Sequence, residues 1–225
     1  MNRPTTNVER WLADAAALVS VVAYRDFPNG FVVVVDRLPA GTVAVSTGSG
    51  VELARLYGHG NGRAAVVVDA AKVATWDATR LDALILHESS HAIVDADRPG
   101  IEAALDTLPT ATARVPEREA HGHRPVWAAA LSILCQRANG CRRSHAAIAR
   151  RVAADLAVYG YDAAALERLT AGVSEDAPLR ELLAAGTPAA ALLELRTPDI
   201  EKRMAAMVAS GRYGWTTTPE RVGTT

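Results

Sequence analysis

Leu84-Ile85-Leu86-His87-Glu88-Ser89-Ser90-His91-Ala92-Ile93-Val94 is the stretch around which the rest of the chain is organised. Apolar Leu81, Leu84, Ile85 and Ala92 recur at spacings of three and four, which predicts a helix from Ala78 to about Asp95. Thr75 or Asp77 stands where its N-cap belongs, and Arg98-Pro99-Gly100 stops it. On that helix His87 and His91 are four residues apart, one turn along and pointing the same way. Two imidazole nitrogens are thereby offered to one tetrahedral ion such as zinc. Glu88 falls ~100° round from His87, beside the ion rather than on it, where the general base of a metal-assisted hydrolysis stands. Six histidines and twelve glutamates produce an HExxH pattern by chance in roughly one chain in a hundred of this composition. Ser89, Ser90 and Ala92 are small and permit close packing of the helix that carries it.

A catalytic zinc takes a third protein ligand and keeps its fourth position for water. His121 and His123 are the first candidates, in Ala120-His-Gly-His-Arg-Pro-Val-Trp127, where a loop enters the next predicted helix. One glycine separates them, so one of the two is expected to ligate. Glu117 and Glu119 are carboxylate alternatives, with Asp95 and Glu102 weaker ones. Asp95 shares the helix of His91, where a third ligand gives poor tetrahedral geometry.

Outward from this helix, Asn7 to Tyr24 has helical spacing, and Phe31–Val35, Thr42–Ser46 and Ala64–Asp69 read as short strands. Pro39-Ala40-Gly41 is expected to turn the first two into a hairpin, and Val51–Tyr57 is a possible short helix. Downstream, a short helix within 101–110 and a loop over 110–122 precede a helix over 124–138, which Asn139-Gly140 ends. Helices then follow at 144–158, 162–171, 177–185, 188–196 and 198–209. The expected fold class is α+β: a small mixed sheet packed on the HExxH helix and a second core helix, with a helical C-terminal part. Residues 1–140 are the expected core, 141–210 a helical region packed on it, and 211–225 a tail.

The segment LILHESSHAIV with the later GHRPVWAAAL resembles the zincin metallopeptidases, nearest to the minimal SprT-like proteins of phages and bacteria. In that group a third histidine opens the next helix, in a His-Gly-x-x-aromatic segment. His123-Arg-Pro-Val-Trp127 matches the histidine and the aromatic but has Arg124 for the glycine; His121-Gly122 matches the pair but has Pro125 for the aromatic. The resemblance therefore implies His87, His91 and His123 as zinc ligands, Glu88 as base, and Trp127 as a structural residue. It covers residues 64–138 and lacks the paired cysteines that some SprT-like proteins carry. It further implies a protein or peptide substrate, paired as an extended strand with the 64–69 strand or its neighbour. Tyr159, Tyr161, His145 and Arg124 are all candidates for an oxyanion donor. The alternative function is a catalytically inactive zincin-like scaffold acting as a protein- or DNA-interaction module.

Composition narrows the partners. A net charge of -1 over 225 residues argues against a protein that coats nucleic acid. Between Glu119 and Asp155, however, there is no acidic residue and there are six arginines: Arg124, Arg137, Arg142, Arg143, Arg150 and Arg151. This segment is the place for a weak nucleic-acid contact, although it lacks aromatics for base stacking. Cys135 and Cys141 are too few for a disulfide framework and lack C-x₂-C spacing, so Cys135 reads as a buried free thiol. The first residues, MNRPTTNVERW, form no basic-then-apolar leader, and no apolar run approaches the ~20 residues that cross a bilayer. A cytoplasmic protein without membrane contact is expected.

Overall fold

The computed structural model describes residues 7–38, 40–41, 43–47, 64–96, 123, 125–139, 141, 145–171 and 178–179. Its elements run α1 (Asn7–Val22), β1 (Phe31–Val35), β2 (Ala44–Thr47), β3 (Ala64–Val68), α2 (Ala78–Ala96), α3 (Pro125–Arg137), α4 (His145–Val158) and α5 (Ala163–Thr170). The class is a small mixed α+β fold, as the sequence predicts. The expected elements at 51–57, 101–110 and 188–209 lie outside the described residues, as do the loop at 110–122 and the tail; of 177–185 only 178–179 are described.

The three described strands are ordered β1-β3-β2. β3 is parallel to β1, with Phe31 opposite Ala64 and Val35 opposite Val68. It is antiparallel to β2, with Ala44 opposite Val68 and Thr47 opposite Ala65. This corrects the hairpin expected at Pro39-Ala40-Gly41: β1 and β2 do not pair, because β3 is inserted between them. All five residues of β3 are buried, as an apolar run flanked by strands on both sides requires. Ala64, Val66 and Val68 face the main core with Phe31 and Ala44. Ala65 and Val67 face the other way with Val32, Val34 and Leu38.

The helices lie on the main-core face. α1 contributes Val8, Leu12, Ala15, Leu18, Val19 and Val22, a stripe at helical period, and packs on α2 and β1. α2 is central and touches α1, α3, α4, β2 and β3. Asp77 caps it: its Oδ1 accepts from Arg80 N at 2.8 Å and Thr79 Oγ1 at 2.6 Å. Arg151 of α4 donates to the other oxygen of Asp77 at 2.6 Å, tying α4 to the start of α2. α3 is apolar on nearly every side, with Val126 to Leu134 all buried, which suits a helix enclosed by others. At its far end Arg137 donates to Val22 O at 3.2 Å and pairs with buried Asp26 at 3.8 Å. Asp26 also accepts from Leu179 N at 2.6 Å, so one carboxylate joins the ends of α1 and α3 to the segment at 178–179. Among the described residues no helix is long and apolar enough to cross a membrane.

Candidate metal centre

Two histidines come from α2 by helical spacing alone; the third reaches them from just before α3. His87, His91 and His123 are all buried, and their Nε2 atoms form a nearly equilateral triangle. The edges are 3.2 Å (His87–His91), 3.3 Å (His91–His123) and 3.3 Å (His87–His123). Tetrahedral nitrogen ligands at the usual 2.0–2.1 Å from zinc stand ~3.3–3.4 Å apart, so the triangle has the size of one face of such a site. The cluster is able to coordinate a metal ion.

The protonation chemistry agrees with that geometry. His87 Nδ1 lies 2.5 Å from Asp155 Oδ2 of α4. A neutral His87 donates from Nδ1 to this carboxylate, which leaves the Nε2 lone pair facing the cluster. Burial alone lowers the pKa of His87, but the Asp155 hydrogen bond and charge, helped by Glu88, outweigh it and raise the pKa above the ordinary imidazole value. Burial holds His91 and His123 well below that value, and the positive charge available to His87 adds to this, with His123 adding further at His91. Both stay neutral at physiological pH. Lone pairs converging within 3.3 Å in a buried site repel unless a cation or shared protons lie among them, and neutral imidazoles are what a borderline cation binds.

Glu88 is buried beside the cluster. Ser46 of β2 lies near its carboxylate and favours the charged form, while Oε2 has no hydrogen-bond partner among the described residues. Burial raises its carboxyl above the usual carboxylate range; the pull of His87 and Ser46 opposes this and the charge of Asp155 supports it.

Aromatic rings hold the histidines in place. Trp127 is buried under all three, stacked on His91 at 5.3 Å between centroids and edge-on to His87 and His123 at 4.8 and 4.6 Å. Its Nε1 donates to His87 O at 3.4 Å. Tyr159 lies flat on the His123 ring at 3.7 Å, and the hydroxyl of Tyr161 donates to the His123 carbonyl at 2.8 Å. These tyrosines flank Gly160, whose φ of +74° ends α4. Tyr161 N bonds Leu156 O at 3.0 Å and Gly160 N bonds Ala157 O at 3.0 Å, the paired bonds of a Schellman turn. Glycine takes that backbone conformation without strain, so the cap of α4 aims both tyrosines at His123. Ser89 and Ser90, buried behind the ligand face, satisfy their hydroxyls on the helix's own carbonyls, Ile85 O and His87 O, each at 2.6 Å.

His87, Glu88, His91 and His123 thus meet in one place, with Trp127 beneath the three histidines. His121, Glu117, Glu119, Glu102 and Arg124 lie outside the described residues, as does the side chain of Asp95. Of the oxyanion candidates, Tyr161 spends its hydroxyl on His123. His145 bonds Cys135 O at 2.9 Å, about 12 Å along α3 from Trp127 at 1.5 Å per residue. Asp155 and Ser46 were not among the residues chosen from sequence. The one available signal for Asp155 was its place as the first acidic residue after a run of 35 without one; Ser46 gave none. Cys135 is a buried free thiol, as expected, and Cys141 is exposed and free. In the arginine-rich segment, Arg137 and Arg151 are engaged by Asp26 and Asp77.

Fold and site together define an α+β protein whose HExxH helix and a distant histidine build a three-histidine cluster consistent with a zincin-type metal site. No protein-family model, no curated protein and no solved structure matches this chain; its class rests on the geometry of the site.

Proposed function

We propose that this chain is a zinc-dependent metallopeptidase of the zincin type, in which His87, His91 and His123 hold the ion and Glu88 is the general base. The observation that carries this reading is the Nε2 triangle with edges of 3.2–3.3 Å, set beside a buried carboxylate with one oxygen unpartnered among the described residues. Structural zinc sites close all four positions with protein ligands, whereas three histidines with a neighbouring carboxylate are the donor set of a hydrolytic site. When bound, zinc lowers the pKa of water to ~7 and polarises a carbonyl.

The chain's own residues supply the proton handling. Glu88 takes a proton from the attacking water and returns it to the leaving amine; its raised pKa suits a group that must hold the proton between the two steps. Asp155 keeps the His87 ring oriented through Nδ1, and Trp127, Tyr159 and Tyr161 fix His91 and His123. Tyr159 remains the oxyanion-donor candidate whose ring lies against the cluster. The resemblance implies that strand 64–69 or its neighbour pairs with an extended peptide substrate. β3 is paired on both sides, so we assign that role to β2, which lies at the edge of the described sheet and packs on α2. Within the zincins, the kinship proposed is with the minimal SprT-like group, on the pairing of His123 with Trp127.

Glu88→Gln tests the reading. It should retain one zinc per chain by elemental analysis while hydrolysis of an unfolded protein substrate falls ~10²–10⁴-fold. Absence of zinc from protein purified in metal-replete medium, or undiminished cleavage by Glu88→Gln, would overturn it. Full zinc without cleavage in the wild type would favour the scaffold.

A further inference from the structure

The period of α2 places His87 and His91, but no helix places His123. It stands two residues before the first residue of α3, Pro125, outside the helix ladder. Its backbone is therefore set by what packs on it. Among the described residues, Trp127 meets its ring edge-on at 4.6 Å, and Tyr159 lies flat on it at 3.7 Å with 10° between the planes. The Tyr161 hydroxyl donates to its backbone carbonyl at 2.8 Å, with both residues buried. Tyr161 is in turn held by the end of α4, where its N bonds Leu156 O and Gly160 N bonds Ala157 O, each at 3.0 Å. Gly160 closes that turn at a φ of +74°, which a residue with a Cβ adopts only with strain. The same helix carries Asp155 against His87 and Arg151 against the Asp77 cap of α2. One helix thus refers two ligands from different elements to a common frame.

We infer that Tyr161 is a positioning residue for the third ligand: its hydroxyl, presented by the glycine turn that ends α4, fixes the His123 backbone, so that zinc affinity and the order of that turn are linked. This rests on the reading of His123 as a ligand. The ring contacts with Trp127 and Tyr159 hold the imidazole plane but let it slide within that plane. The bond from hydroxyl to carbonyl is directional and removes that freedom. A shift of ~1 Å is enough to spoil a site whose nitrogens must stand 2.0–2.1 Å from the ion. Linkage runs both ways: whatever factor the turn contributes to zinc binding, bound zinc returns to the turn. The end of α4 is then part of the metal centre, although Tyr161 offers the ion no donor atom.

Tyr161→Phe removes one oxygen and keeps the ring. In full-length protein titrated with zinc against a chromophoric chelator, it should lower affinity about 10-fold. In a His123→Ala background the same substitution should change the residual affinity less than about twofold, because Tyr161 acts through His123. A merely structural tyrosine would weaken both backgrounds alike. The wild type supplies a second measurement that depends on no variant. In hydrogen exchange resolved by NMR, zinc should slow the Tyr161 amide at least ~10-fold more than the Ala23 amide, which bonds Val19 O at 2.9 Å at the end of α1. Affinity of Tyr161→Phe within about twofold of wild type, an equal loss in the His123→Ala background, or a Tyr161 amide slowed no more than that of Ala23 overturns the inference. If Tyr161→Phe fails to fold, the exchange result decides it. A wild type that binds zinc but fails these tests keeps the metal centre and loses only the role of Tyr161. A wild type that binds no zinc sinks the metal reading, and the inference with it. Zinc binding with the expected coupling but no hydrolysis would favour the scaffold and leave Tyr161 in its role.

Discussion

Removing the carboxylate behind His87 should weaken zinc binding in a way that depends on pH, and both parts of the effect follow from one contact. Asp155 Oδ2 lies 2.5 Å from His87 Nδ1, and the two side chains are 35% and 10% exposed. A hydrogen bond to a charged group is worth about 1.5–3 kcal/mol, and partners behind metal-bound histidines typically contribute ~10–100-fold in affinity. Solvent reaches a third of the Asp155 side chain and screens it, which places Asp155→Ala in the lower half of that range, about 10–30-fold. Asp155→Asn keeps a neutral acceptor and should lose only about 3–10-fold. Protons act in the opposite direction. In the wild type Asp155 raises the pKa of His87, so a proton competes with zinc at His87 already above pH 6.5. Without Asp155 burial prevails, the pKa falls, and that competition is deferred to lower pH. The deficit of Asp155→Ala should therefore be full at pH 8 and narrower at pH 6. Competition with a chromophoric chelator at the two pH values measures it. Affinity within twofold of wild type at pH 8, or a gap that widens on acidification, would refute the assigned role of Asp155.

Three further outcomes are expected. His123→Ala should lower zinc affinity at least ~100-fold in the same titration and His121→Ala less than about threefold, since tetrahedral binding needs the third nitrogen of the triangle; the reverse order would move the ligand role. In protein stripped of metal, stability should fall as pH drops from 6.5 towards 4.5. His91 and His123 have depressed folded pKa values and contribute stability that is present above 6.5 and lost below it. The raised pKa of His87 contributes stability that is present below 6.5 and lost as pH rises, so His87 carries its proton in both states of this window. The raised Glu88 offsets at most one of the two remaining protons, leaving a slope of about 1.4 kcal/mol per pH unit or more, readable from urea midpoints; a flat profile would contradict it. Finally, a thiol reagent at pH 8 should modify Cys141 promptly and Cys135 only on unfolding. Burial pushes the Cys135 thiol up to about 11, which leaves about one part in a thousand as thiolate; two equal rates would count against the packing of α3.

The short-range features of this molecule were legible in its residues. The stripe of α1, the cap at Asp77, the HExxH pair and the β-branched runs are all read within one or two turns of chain. Helix and strand periods are properties of neighbouring residues, which is why His87 and His91 could be paired on one face before any fold was known. His123 was reached only through the resemblance of its setting to a known pattern, since nothing in the spacing chose it over His121.

What the tertiary structure decided is of another kind. Local reading of Pro39-Ala40-Gly41 favours a hairpin, because adjacent strands joined by a turn residue usually pair; β3 displaces that pairing by taking both strands as neighbours, and its burial on both faces gains more apolar contact than a two-stranded hairpin offers. Asp155 meets His87 across 68 positions, and Tyr159 and Tyr161 meet His123 from a helix cap. No sequence period encodes these contacts. The chain by itself determined that His87 and His91 share one helix face with Glu88 beside them, because that depends on residue type and helical spacing. Packing determined how those groups are held and protonated, because burial and partner charge exist only once α4 and β2 lie against α2.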